Sequence, residues 1–91
     1  MEIKHKASKE NGIFYIEVEN KKAAEIQYVI ENEDRLIIQH TMVPESLSGK
    51  GIGKLLVDKT VQYARKHNFK VIPVCSFAKK VMEADAFKDV L

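Results

Sequence analysis

The sequence predicts a single small α/β domain of the α+β kind. Its expected core is a mainly antiparallel sheet of four or five strands that includes one parallel crossover pair, packed by a central helix and a C-terminal helix. Three observations predict it. Apolar and polar residues alternate in two early runs divided by short polar turns, the pattern of linked hairpins. A run rich in glycine then leads into the clearest helical periodicity of the chain. Past that helix comes a short apolar segment, which a helical crossover would lay parallel to the strand before the glycines. The 91 residues, 45% of them hydrophobic, suffice for one core and leave no room for a second lobe, so one domain over 1–91 is expected.

The elements follow in order. After a polar lead, Ile13 to Val18 reads as a strand with Phe14, Ile16 and Val18 on one face. Asn20, Lys21 and Lys22 supply a turn, and Ala24, Ile26, Tyr28 and Ile30 share one face of a second strand, opposite Glu25 and Gln27. Glu31 to Asp34 makes another polar turn. Leu36 to Val43 is apolar on both faces apart from Gln39, His40 and Thr41, as an interior strand covered on two sides would be, and Pro44 ends its pairing. From Gly51 to His67, the positions Ile52, Leu55, Leu56, Thr60, Tyr63 and Ala64 keep helical spacing, while Lys54, Asp58, Gln62 and Lys66 mark a solvated face. Lys70 to Cys75 reads as a short strand, and Ser76 is placed to cap a last helix that carries Phe77, Val81 and Ala84 inward. Pro73 cannot donate a ladder hydrogen bond, so a local gap beside this strand is expected.

Between the third strand and the central helix stands Ser48-Gly49-Lys50-Gly51-Ile52-Gly53-Lys54. Three glycines in five positions allow a tight turn whose backbone N–H groups can come close to a ligand. The helix that follows adds unsatisfied N–H donors and a positive dipole end, so phosphate or pyrophosphate is the natural guest. Two familiar phosphate motifs are excluded. A P-loop would need glycine where Ser48 stands and a hydroxyl where Leu55 stands, and a dinucleotide fingerprint starting at Gly49 would need its third glycine at Lys54.

The run is similar instead to the pyrophosphate loop of the GNAT superfamily of acetyltransferases, Gln/Arg-x-x-Gly-x-Gly/Ala, with Ser48 in place of the Gln or Arg. With His40-Thr41-Met42-Val43-Pro44 before it and Val74-Cys75 after it, the chain resembles a family of very small, GNAT-like predicted N-acetyltransferases, from about the first strand to Phe87. The resemblance implies a minimal GNAT-like fold and transfer of acetyl from acetyl-CoA to an amine acceptor. It implies coenzyme contacts at Thr41, Met42, Val43, Ser48, Gly49, Lys50, Gly51, Ile52, Gly53 and Lys54, with the pantetheine arm in the gap between the parallel strands.

Cys75, the only thiol, ends a strand beside that gap and just precedes a helix start, a position that favours thiolate; a small buried hydrophobe is the other reading. The resemblance aligns it with a candidate catalytic cysteine. His40 lies in the preceding parallel strand, where it is either a hydrogen-bonded core residue or, as a strand neighbour of Cys75, a base for the thiol or the incoming amine. A one-residue slip of register would turn it to the other face. His5 and His67 read as surface residues, and Tyr15, Tyr28 and Tyr63 as packing residues. Many GNAT enzymes place a tyrosine acid after the last parallel strand, where this chain has Phe77 and Phe87.

Fifteen Lys and Arg against thirteen Asp and Glu give a formal charge of +2, too balanced for a surface built to hold nucleic acid. A small anionic partner is expected, with no nucleic acid and no membrane: no apolar stretch reaches the ~20 residues of a membrane span. One cysteine excludes an internal disulfide, the first residues lack a signal-peptide core, and a reducing cytoplasm fits both. A second reading stays open, a coenzyme-binding module without turnover that acts with a partner protein. The chain is shorter than typical GNAT enzymes and lacks the N-terminal helices that shape their acceptor pocket.

Overall fold

In the computed structural model, which describes residues 2–91, five strands form one sheet in chain order: β1 (Lys4–Ala7), β2 (Asn11–Val18), β3 (Lys21–Glu31), β4 (Arg35–Met42) and β5 (Lys70–Pro73). The first four are antiparallel neighbours, and β5 lies parallel to β4. Helix α1 (Ile52–Lys66) makes the crossover between them, and a shorter helix α2 (Ser76–Val81) follows β5.

The hairpins form where the chain takes up positive φ. Glu19 and Asn20, at 54° and 65°, make the two-residue connection of β2 to β3. The turn thus lies just before Lys21 and Lys22, which belong to β3. Between β3 and β4 the connection is three residues, Asn32 to Asp34, of which Asn32 and Glu33 have positive φ, 55° and 63°. Ala24, Ile26 and Tyr28 are buried on one face of β3, with Phe14 and Ile16 opposite on β2. Val18, expected beside them, is 45% exposed because it is the last residue before the hairpin turn.

Helix α1 covers this face. Ile52, Leu56, Val57, Thr60, Val61 and Ala64 are its buried side, and the Thr60 hydroxyl donates to the Leu56 carbonyl at 2.9 Å. Leu55, assigned inward from spacing, is solvent-facing, and Val57 and Val61 hold the core instead. Burying each of these valines contributes about 1.5–3 kcal/mol. Just past the C-cap His67, Asn68 has a φ of 60° that lets the Phe69 amide turn back to the Ala64 carbonyl at 2.8 Å.

Three further expectations are corrected. The polar lead contains β1, which pairs with β2 from Lys4↔Tyr15 to Ala7↔Gly12. The last strand stops at Pro73, so Val74 and Cys75 lie outside it, and both of their amides donate to the Ile38 carbonyl. In α2 Cys75 rather than Ser76 is the N-cap, without a side-chain capping bond; Ala78 is the buried residue while Phe77 and Ala84 are exposed. A helix of 6 residues centred on Ala78 presents a different stripe from one running on to Ala84.

The C-terminal segment closes the far side of β5. The Val71 amide donates to the Val90 carbonyl at 2.7 Å, and Arg65 holds Asp89 with two bonds of 2.9 and 2.8 Å. Phe87 and Val90 are thereby buried against the core.

Candidate functional site

Two places along β4 decide the site. The first is a bulge. Tyr28 pairs with Ile38 but Gln27 pairs with His40, so Gln39 has no partner on β3. Beyond it the alternation of β4 is reset: His40 shares the face of Gln27, and Thr41 shares the face of Ile26, the buried one. His40 is exposed on the outer face of the sheet, away from α1, and Thr41 is half-buried on the inner face. The strand-neighbour arrangement of His40 with Cys75 therefore does not form, and Thr41 takes that place. The Cys75 thiol donates to Thr41 Oγ1 at 3.5 Å.

The second place is the end of the parallel pairing. β4 and β5 are in register from Arg35↔Lys70 to Ile38↔Pro73, and there pairing stops. Among the described residues no strand lies beside the edge of β4 towards β5 from Gln39 to Met42, which is the gap expected at Pro73. Cys75 sits at its mouth, half-buried. Burial pushes its thiol up, but hydrogen bonding with the Ala78 amide, the Thr41 side chain and the Phe77 amide outweighs it, and the net shift is below the ordinary thiol value.

The glycine run divides its labour. Gly49 and Gly51 have φ of 77° and 74°, a region that L side chains rarely enter, and a Cβ on either would meet nothing within 4 Å. Their backbone is open to a ligand. Gly51 is the N-cap of α1 and no side chain caps that helix, which leaves the N–H groups of its first turn free for an anion. Gly53 is different: it lies inside α1, buried, and a Cβ there would stand 2.5 Å from Phe77 Cζ. Its smallness lets α2 approach α1.

A groove of about 350 Å³ runs along this loop, with Val43, Leu47, Phe77 and Val81 as its apolar walls and Ser48, Gly49, Gly51, Gly53 and Lys54 along its rim. Lys50 and Lys54 are exposed. Ser48 turns back, its hydroxyl donating to the Glu45 carbonyl at 2.9 Å, and so offers the loop no long cap. The Ile52 side chain is buried in the core, leaving only its backbone to a ligand, and Met42 pairs with Glu25 on the outer face. Leu47, Phe77 and Val81 were not among the sequence candidates, and the only available signal was that Phe77 stands two residues after Cys75. The fit to a coenzyme is good: free N–H groups and two lysines suit a pyrophosphate, and the apolar groove walled by Val43, Leu47, Phe77 and Val81 suits an aliphatic arm.

Comparison with known proteins gives the family and the fold. Residues 13–90 match the model of a family described as GCN5-related N-acetyl-transferase. The solution structure of a GCN5-like protein from Staphylococcus aureus, to which N-acetyltransferase activity is ascribed, is 41% identical, with a TM-score of 0.77 over 98% of this chain and 85% of that one. An aminoglycoside acetyltransferase from an uncultured soil metagenomic sample, solved with sisomicin, is 20% identical with a TM-score of 0.69 over 89% of this chain and 59% of its own. A ribosomal-protein-alanine N-acetyltransferase from Brucella melitensis biovar Abortus is 17% identical with a TM-score of 0.64, over 84% and 61% respectively. These last two likenesses are of fold, and the chain spans only about three fifths of either protein. No curated protein sequence matches the chain.

Proposed function

The chain belongs to the GCN5-related N-acetyltransferase family, and from that premise we propose that it binds acetyl-CoA along the glycine loop and moves the acetyl group to an amine by way of Cys75. The observation that carries the reading is the continuity of the uncapped loop with an apolar groove walled by Val43 and Phe77, each two residues along the chain from one member of the hydrogen-bonded Thr41–Cys75 pair. The whole chain, 1–91, acts as one domain in a reducing cytoplasm, on a small amine or on one borne by a partner protein.

When bound, acetyl-CoA supplies an acetyl group activated as a thioester. The backbone N–H groups of Gly49 to Lys54, with Lys50 and Lys54, hold its phosphates, and Val43, Leu47, Phe77 and Val81 exclude water from its arm. Holding thioester and nucleophile together removes about 7–11 kcal/mol of barrier in favourable cases. The Cys75 thiolate bonds to the acetyl carbon as the thioester S–C bond breaks and that sulfur departs with its electron pair. The acceptor amine then bonds to the same carbon and displaces Cys75 as thiolate, losing one proton. His40 faces the other side of the sheet from the thiol, out of hydrogen-bond reach of an amine attacking acetyl-Cys75, so the amine's proton passes to solvent water.

The test is a heteronuclear NMR titration with acetyl-CoA followed by mass spectrometry. The amides of Gly49 to Lys54 and of Val43 should shift first, and the wild type should gain one acetyl mass that Cys75→Ala does not. Absence of shifts at millimolar coenzyme would remove the binding reading. If Cys75→Ala acetylated amines at the wild-type rate, the role of the thiol would be wrong and transfer would be direct.

A further inference from the structure

We infer that Thr41 is the positioning residue of the Cys75 thiol, holding the sulfur at the mouth of the β4–β5 gap and stabilising its thiolate form. Three observations lead there. The bulge at Gln39 removes His40 from the inner face and puts Thr41 on it, in register with the fully buried Ile26. The threonine hydroxyl and the sulfur are hydrogen-bonded at 3.5 Å across 34 residues of chain. Both Val74 and Cys75 amides are tied to the single carbonyl of Ile38, the last residue of β4 paired to β5, so the backbone that carries the thiol is fixed against the strand that carries Thr41.

The chemistry follows from the donor inventory. In the thiol state Cys75 donates to Thr41 Oγ1; once the proton is lost, the hydroxyl rotates about its C–O bond and donates to the sulfur. The chief influences on the sulfur are burial, the Ala78 and Phe77 amides and Thr41, none of them charged. Lys79 and Lys80 on α2 are exposed, and His40 on β4 faces the opposite side. Thr41 is therefore the one side chain that selects the reactive form. The consequence for acetyl transfer rests on the function proposed above, but the inference itself concerns the free protein.

The experiment measures the rate of iodoacetamide alkylation of the intact protein against pH, with no coenzyme present; Cys75 is the only cysteine, so there is no competing thiol. Thr41→Val, which keeps shape and removes the hydroxyl, should move the midpoint to higher pH and slow alkylation several-fold at neutral pH. Thr41→Ser should keep the wild-type profile. A Thr41→Val protein with the wild-type midpoint would overturn the inference, as would a Thr41→Ser protein displaced as far as Thr41→Val. If the native amide spectrum is lost in Thr41→Val, Thr41→Ala takes its place with the same expectation. Failure of the proposed function reads differently: wild type that takes up no acetyl, beside a Thr41→Val midpoint that still moves, would leave Thr41 in its role and sink only the acetyl-thioenzyme.

Discussion

Tyr28 lies across Gly12 of the neighbouring strand so closely that a Cβ on Gly12 would stand 2.2 Å from the phenol oxygen. The ring fills the space a side chain would occupy, and its hydroxyl reaches His5 Nε2 at 2.8 Å on the next strand out. Gly12→Ala should therefore displace a side chain that is only 2% exposed, at a cost of about 1–3 kcal/mol. Urea unfolding measures it, and an unchanged midpoint would mean that the ring moves aside freely.

His5 makes the same region sensitive to acid. Its ring stacks on Phe14 with centroids 3.9 Å apart and meets Tyr63 edge-on at 4.8 Å. Loss of hydration, and then the charge of nearby His67, hold its pKa below the ordinary 6.5. Because the folded value lies below the unfolded one, the folded protein binds fewer protons as acid is added. This contribution to stability is present above about pH 6.5 and is lost as pH falls from there through the lower folded value. Unfolding midpoints should decline across that window in the wild type, and the decline should flatten in His5→Phe.

At the loop, Gly53→Ala should push the Phe77 ring out of its place over the first turn of α1. The cost belongs at the lower end of about 1–3 kcal/mol, because the ring is 42% exposed and can swing. Phe77→Ala should relieve it, so the double variant should be more stable than the two single effects summed. A strictly additive pair would show that the two residues do not press on each other.

Arg65 ties the C-terminal segment through Asp89 and the Ala86 carbonyl. Arg65→Ala should speed hydrogen exchange of the Val71 amide, whose acceptor is Val90, and Arg65→Lys should restore little because it lacks the paired donors. Exchange at wild-type rate in Arg65→Ala would place the hold in the burial of Phe87 and Val90 instead.

The legible parts of this chain were those governed by regular spacing. Ala24, Ile26 and Tyr28 alternate and are buried, and the helical period from Ile52 to Ala64 marks α1, though the choice between Leu55 and Val57 depends on where the stripe is centred. Strand β1 was illegible because Lys4-His5-Lys6-Ala7 offers no apolar alternation; it is held by ladder bonds and by His5 on Phe14. At the site, the glycine loop and Cys75 stood out by residue type alone. The separation of His40 from Cys75 did not, since it hangs on one unpaired residue, Gln39, that nothing in its neighbours announces.

That unpaired residue has an evolutionary corollary. The stretch before Gln39 and the stretch after it are each held to β3 by their own partners, Ile38 to Tyr28 and His40 to Gln27. A gene that lost this codon would encode a straighter strand whose remaining residues still face where they face now. Most strands in a buried sheet cannot change length without turning their side chains over. β4 has one position where length is free to drift, and it lies between the segment that builds the core and the segment that carries Thr41, so the two can diverge independently.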